Sequence, residues 1–342
     1  MKAMTVLGPV PVKQLGKVLI HEHLLFDFRD YWQEPKRATE LRLTRQPVQM
    51  ELLGTLRFNP MLLIDNLVQG DLQLAIDEAN ELVAVGGQTL VDPTNVSIGR
   101  DPVALQQIAR VTGLNIIMGA GYYTEISLDE TFDERSLEEL TNELTREVLE
   151  GVAETGVRAG LIGEIGTSSP ITDRESKSLR AAARAHTHTR APLMIHLDGW
   201  GREGHKVLDI VEEEGGDPGS TILCHMNPSW ADVEYQASLA ERGAYLEYDM
   251  MGMDYFYPPD KACPDDLSTL GAIKNLIETG FLDKLLLSQD VFLKMMFKRY
   301  GGLGYTHVFT NLGPYYQQLG ITSQHLNTIF VENPARALGF LE

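Results

Sequence analysis

The sequence predicts an α/β chain wound as a (β/α)8 TIM barrel, with residues 1–342 forming a single domain. Two observations carry this. Short runs rich in Val, Ile and Leu recur eight times along the chain, and stretches of helical period lie between them. Eight strand and helix pairs in 342 residues fit a barrel better than an open sheet.

In chain order the expected strands are KVLIHEH near 17–23, TLVDPT near 89–94, NIIMGAGYY near 115–123 and AGLIGEIG near 159–166. PLMIHLD near 192–198, TILCHM near 221–226, AYLEYD near 244–249 and KLLLSQD near 284–290 complete the set. Between them, LQLAIDEANELVAVG places Leu72, Ile76, Ala79 and Val83 on one stripe, and SLEELTNELTREVLEGV does the same with Leu137, Leu140, Leu144 and Val148. Further helices are expected near 101–111, 173–190, 202–214, 230–242, 266–279 and 322–338. The connections after the first and eighth strands, about 45 and about 30 residues, are too long for simple turns. In a barrel such loops gather over the C-terminal face and shape a pocket there.

Composition narrows the function. With 29 basic and 48 acidic residues the formal net charge is -19, which repels phosphate backbones and anionic lipid, so neither nucleic acid nor a membrane is the expected partner. The two cysteines, Cys224 and Cys263, are too few for a disulfide-stapled secreted scaffold. The opening MKAMTVLGPVPVKQLG has no apolar core of a signal peptide, and no later apolar run approaches the roughly 20 residues that span a bilayer. A cytoplasmic protein acting on a small-molecule substrate is expected, with a homodimer as an option.

The chemistry lies at the strand ends. Alternation along VLIHEH points His21 and His23 to one side and Glu22 to the other, so one metal ion can take both imidazoles. Glu164 ends GLIGE, His196 ends PLMIH, His225 ends TILCH and Asp290 ends LLLSQD. A single histidine after a strand is ordinarily a packing or capping residue. Four histidines and two carboxylates at the C-terminal ends of strands 1, 4, 5, 6 and 8 of one barrel form a site. Nitrogen and carboxylate donors suit Zn²⁺ and comparable ions such as Mn²⁺ or Co²⁺, and six ligands exceed what one catalytic ion takes from protein. Two divalent metal ions are therefore expected. They would repel each other at a separation of about 3.5–4 Å, which gives a bridging carboxylate its purpose, and Glu164 is the expected bridge.

The order HEH, GEIG, a His after strand 5, a His after strand 6, then SQD resembles the amidohydrolase superfamily, and within it the phosphotriesterase family. GLIGEIG, YLEYD, YGGLGYTH and VENPARAL resemble the phosphotriesterase-related branch. The resemblance implies His21, His23 and Asp290 on a buried metal, His196 and His225 on an exposed one, and a bridging hydroxide as nucleophile. It also implies Asp290 as the catalytic group that carries the proton to the leaving group. Phosphotriesterase proper bridges its metals with a carboxylated lysine, where this sequence has Glu164. The expected activity is hydrolysis of a small ester, lactone or N-acyl amide, with side activity on phosphotriesters.

Other residues are weighed against plain structural roles. Tyr122 and Tyr123 at the end of strand 3, and Tyr248 at the end of strand 7, are the candidate substrate contacts. Asp198, Trp200 and Arg202 follow a ligand and either touch substrate or pack a loop. Asp249 either borders the leaving group or hydrogen-bonds a neighbouring ligand, and Met250 stands where the family's lactonases carry arginine. Lys294 and Arg299, in a long loop whose YGGLGY stretch looks flexible, either meet an anionic group on the substrate or stand as solvated charges, the latter being the safer reading, and His205 and His307 read as structural. The HTHT pair His186 and His188 reads as a solvated helix surface, and Cys224 as pointing away from the face of His225. Two alternatives share the pattern: a TatD-like metal-dependent nuclease or phosphodiesterase, which the net charge opposes, and a barrel that only binds a ligand.

Overall fold

The computed structural model describes residues 1–259 and 261–342. Its central sheet has eight strands: β1 Val18–Leu19, β2 Thr89–Asp92, β3 Asn115–Ala120, β4 Leu161–Gly166, β5 Leu193–His196, β6 Thr221–Leu223, β7 Tyr245–Tyr248 and β8 Leu285–Leu287. All seven neighbour pairings are parallel and follow chain order, which is the ladder of a (β/α)8 barrel. The barrel's ladder strands are shorter than the apolar runs suggested. Regular pairing in β1 ends at Leu19, and the ligand-type residues lie beyond it, where the chain bends at His21.

The helices of the βα repeat are α1 Leu72–Ala84, α2 Pro102–Thr112, α3 Leu137–Leu149, α4 Asp173–Thr189, α5 Gly204–Glu213, α6 Val233–Glu241, α7 Asp266–Glu278 and α8, residues 323–338; shorter helical segments lie in the two long connections. Their starts are set by local chemistry. Ser136 with Glu139 and Thr172 with Glu175 form capping boxes, and Asp71, Asp101, Asp232 and Asp265 each accept backbone N–H groups of the first turn. Inside α8, Pro334 has no N–H to give, and the ladder widens to π geometry over Thr328–Glu332, the turn it would have bonded. His186 is buried at the end of α4, with Nδ1 2.7 Å from the Ala191 carbonyl, so it holds the helix end and is not a solvated surface residue; His188 is exposed.

Two apolar layers result. One fills the barrel interior, with Val18, Ile20, Val91, Ile117, Leu161, Met194, Ile222 and Leu286 all at most 1% exposed. The other lies between the sheet and the helices. None of the described helices is long and apolar enough to cross a membrane.

The barrel closes beyond the ladder, where β1 and β8 run out. Asp290 N–H donates to the His21 carbonyl at 3.1 Å and His23 N–H to the Val291 carbonyl at 3.3 Å. Glu22, turned outward, accepts from Ser288 Oγ at 2.8 Å and from the N–H groups of Gln289 and Val291 at 2.9 and 2.8 Å. The loop after β1 folds back through a short hairpin, Phe26–Asp27 against Val68–Gln69. The YGGLGY stretch is anchored, not loose: Tyr305 is fully buried and its hydroxyl donates to the His23 carbonyl at 2.8 Å.

Glycine is required where β4 passes β5. Gly163 has φ +147°, and a Cβ there would meet the Met194 carbonyl oxygen at 2.4 Å. Gly163→Ala should therefore destabilise the fold by about 1–3 kcal/mol through overpacking and backbone strain, read as a lower Tm in thermal unfolding. An unchanged Tm would show that the strand has room to shift.

Candidate metal centre

Chain segments that are distant in sequence converge at the C-terminal end of the barrel. The chain just after β1 brings His21 and His23, β4 brings Glu164, β5 ends on His196, and the turns after β6 and β8 bring His225 and Asp290. Glu164 stands between two pairs of imidazoles. Its Oε1 lies 3.6 Å from His21 Nε2 and 3.4 Å from His23 Nε2, while its Oε2 lies 3.2 Å from His196 Nδ1 and 3.6 Å from His225 Nε2. Asp290 Oδ1 closes the first pair, 3.7 Å from His21 Nε2 and 3.2 Å from His23 Nε2.

Two of these residues sit in strained backbone. His225 has φ 59° and Asp290 has φ 47°, in the left-handed region that costs a side chain energy. Hydrogen bonds hold each in place. Asp249 accepts from His225 N–H at 3.0 Å and faces its Nδ1 at 2.9 Å, so the reading of Asp249 as a partner of a neighbouring ligand is the one the geometry supports. The turn at His225 also ends strand alternation. Cys224 points into the barrel interior beside His21, Glu247 and Asp249, and burial pushes its thiol well above its ordinary range.

The cluster is buried and electrostatically coupled. Burial lowers the pKa of His21, but Glu164, Glu247 and Asp290 outweigh this and hold it well above the ordinary value. By the same balance His23 is raised to about 9 against Asp290 and Glu164, and His225 to about 10 against Asp249 and Glu164. Burial opposes ionisation of Glu164, yet His21, His196 and His225 keep its carboxyl well below the usual range. Burial and the neighbouring His225 lower His196. Two buried atoms, His21 Nε2 and Asp290 Oδ1, have no hydrogen-bond partner. Donor atoms of His21, His23 and Glu164 lie within 4.8 Å of one another, as do those of Glu164, His196 and His225. Both orphaned atoms belong to the His21, His23 and Asp290 side, and nitrogen and oxygen donors in two groups sharing the Glu164 carboxylate fit a pair of divalent cations.

A cavity of about 280 Å³ opens over the cluster and exposes His23, His196, His225 and Asp290 to it. Its walls are largely aromatic and thioether: Phe28, Tyr31 and Met61 from the loop after β1, Tyr123 after β3, Met250, Met253 and Tyr257 after β7, and Phe292 after β8. Leu197, Asp198, Trp200 and Lys261 complete it. Tyr123 reaches the cluster, its hydroxyl 2.9 Å from His196 Nδ1. Tyr122 and Tyr248 do not line the cavity. Tyr122 packs on Phe132 and accepts from Arg135 at 3.1 Å, and Tyr248 donates to Gln236 Oε1 at 2.7 Å, because strand alternation turns both outward to the helices.

Several further expectations resolve here. Asp198 and Trp200 face the cavity, whereas Arg202 turns away to Asp232 at 3.1 Å. Lys294 is not solvated: it ties the last long loop to the first through Asp65 at 2.5 Å. Arg299 is exposed. His205 and His307 pair with Ser238 and Asp266 at 2.8 and 2.7 Å, in structural roles.

Sequence reasoning missed the supporting residues. Thr94 Oγ1 lies 2.7 Å from His23 Nδ1, Asp92 accepts from Leu24 N–H at 3.0 Å, and Glu247 Oε2 lies 3.4 Å from His21 Nδ1. All three sit at or near the end of a strand that supplies no ligand, and that placement was the available signal. Because Asp249 raises His225, Asp249→Asn should lower the His225 pKa from about 10 towards its ordinary value of about 6.5 in metal-free protein. An NMR titration of the histidine ring protons checks this, and an unmoved midpoint would assign the shift to Glu164 instead.

Known proteins agree with this architecture. The sequence model of the phosphotriesterase family matches residues 1–338. The chain is 36% identical to the N-acetyltaurine hydrolase of Danio rerio over 345 aligned positions, covering 99% of this chain and 98% of that protein. A resiniferatoxin-binding protein from Rhodobacter sphaeroides superposes with a TM-score of 0.97 at 48% identity, covering 98% of this chain and 94% of that one. The organophosphorus hydrolase of Deinococcus radiodurans superposes with a TM-score of 0.79 at 28% identity, covering 99% and 97%. Enzymes of this family work with a binuclear divalent metal centre, and this chain has a buried cluster of His, Asp and Glu at the C-terminal end of its barrel. The chain belongs to the phosphotriesterase family and is a hydrolase.

Proposed function

We propose that the protein is a binuclear metallohydrolase of small N-acyl amides, esters or lactones, with His21, His23 and Asp290 on one ion and His196 and His225 on the other. Glu164 is the shared ligand. The observation that carries this reading is the division of its two oxygens, Oε1 towards His21 and His23 and Oε2 towards His196 and His225. We assign Zn²⁺, with Mn²⁺ and Co²⁺ as substitutes, on donor type. Bound there, two such ions lower the pKa of a water from about 15.7 towards 7 and polarise the substrate's carbonyl oxygen.

The chain's own residues supply the remainder. Asp290 takes a proton from the attacking water on Oδ2 and passes it to the leaving group; its low pKa, set against burial by His21, His23 and His225, returns it to the ionised form after each turnover. Burial keeps the Tyr123 phenol protonated, so it donates to the substrate's oxygen at the cavity wall. Phe28, Trp200, Tyr257 and Phe292 exclude water and hold the hydrocarbon part. The volume of about 280 Å³ suits a small molecule. N-acyl amides rank first because full-length relatives are named N-acetyltaurine hydrolase. A reducing cytoplasm is consistent with two unpaired cysteines.

The test is a screen of metal-reconstituted protein on N-acyl amides, lactones, aryl esters, phosphotriesters and single-stranded DNA. Metal-dependent cleavage of an amide or ester with DNA untouched is expected; protein that binds no metal and cleaves nothing overturns the reading. Glu164→Gln should lower the metal content below two ions per chain and activity by more than about 100-fold, since losing even an outer-shell partner costs about 10–100-fold. Full metal by elemental analysis together with full activity would remove Glu164 from the bridge. At pH 8, below the values of about 9 and about 10, His23 and His225 are protonated without metal. A cation needs the neutral imidazole, so loading at pH 8 should release protons into a weakly buffered solution and affinity should rise with pH up to about 10.

A further inference from the structure

We propose that Lys261 is the recognition point for an anionic group at the far end of the substrate, which makes the preferred substrate an N-acyl amide whose amine part ends in a carboxylate or sulfonate. This rests on the hydrolase reading above and names its substrate class.

Among the described residues that line the cavity, Lys261 is the sole lysine or arginine. It is carried by a short hairpin after β7, Phe256–Tyr257 against Lys261–Ala262. Trp200 fixes that hairpin from the neighbouring loop after β5. Its Nε1 donates to the Ala262 carbonyl at 3.2 Å, its ring meets Tyr257 at 6.2 Å between centroids, and Lys261 Nζ lies 5.2 Å from the indole centroid. The ammonium is thus held over an aromatic face at the cavity, with Asp198 as its ion-pair partner.

That pair is suited to exchange. The Lys261 side chain is 39% exposed, and an ion pair so open to water holds weakly, so a substrate oxyanion can take the place of Asp198 at little cost. Asp198 is itself a cavity residue, and its Oδ1 keeps a hydrogen bond from Gly201 N–H at 3.3 Å. It can therefore yield the ammonium without leaving its loop. The other candidate cation, Lys294, is committed to Asp65 and does not line the cavity, and Arg202 faces Asp232. An oxyanion at Lys261 leaves the acyl end of the same molecule for the histidine cluster and the aromatic walls between them for its carbon chain.

The experiment compares N-acetyltaurine and N-acetyl-β-alanine, one sulfonate and one carboxylate, with the uncharged N-propylacetamide on metal-loaded wild type, Lys261→Met and Lys261→Arg. Lys261→Met should raise KM for the anionic amides by about 10–100-fold while kcat and the neutral amide change little, and Lys261→Arg should restore the preference. The two anions distinguish a sulfonate site from a carboxylate site. Equal loss on charged and neutral amides, or no change in KM, overturns the proposal while leaving the hydrolase reading in place. If wild type cleaves none of the three, the hydrolase reading on amides fails, and calorimetric binding of the same anions to metal-free wild type and Lys261→Met decides the Lys261 proposal separately. Binding that is equal in the two proteins, or absent from wild type, overturns it.

Discussion

One buried carboxylate holds the two ends of the barrel together. Glu22 lies between two histidines and points the opposite way from them, into the seam between β1 and β8, where it accepts from Ser288, Gln289 and Val291. Burial pushes its pKa up to about 8, with the bonds from Val291, Ser288 and Gln289 working against that. The arrangement joins residues 266–269 positions apart in the chain. It also sets the distance between the imidazoles of His21 and His23 and the carboxylate of Asp290. A barrel whose last seam is made by the HEH and SQD segments cannot close without bringing these groups face to face. The geometry of the cluster and the closure of the fold are the same set of contacts.

The cluster is a balance of opposed costs. Four imidazoles and two carboxylates out of water would be prohibitive if left unpaired, and each is compensated by a neighbour of the opposite tendency. Carboxylates raise His21, His23 and His225, and those histidines in turn lower Glu164 and Asp290. Strain at His225 and Asp290 is paid for in backbone bonds to Asp249 and His21. The outer partners Thr94, Glu247 and Asp249 fix ring orientation from behind, so that the free nitrogens converge before any ligand arrives.

Above this rigid floor the walls come from loops, and there the sequence was least informative. The strand ends were legible because alternation and the (β/α)8 topology are local or nearly local rules, and they identified the segments that carry His21, His23, Glu164, His196, His225 and Asp290. Tyr122, Tyr123 and Tyr248 shared the same signal, but only Tyr123 meets the cavity. A one-residue step reverses the face, and the last residues of a strand leave the ladder at a point no pattern marks. Lys261 gave no signal at all. It sits on a two-stranded hairpin inside a connection, and only the packing of Trp200 beneath it brings its charge to the mouth. His186 and Tyr305 read as surface and flexible segment, yet both are buried, because helix ends and long loops take their environment from whatever packs against them.

By itself the sequence determined the repeating βα pattern, the residue types that end each strand, and the acidic balance that disfavours a polyanion. These follow from side-chain period and composition. Only the tertiary structure decided that each oxygen of Glu164 faces a different histidine pair, that Asp249 belongs to His225, and that an aromatic cavity with one lysine lies above them. Those facts depend on how the barrel closes and how loops distant in sequence pack on one another, and no local rule of spacing contains that information.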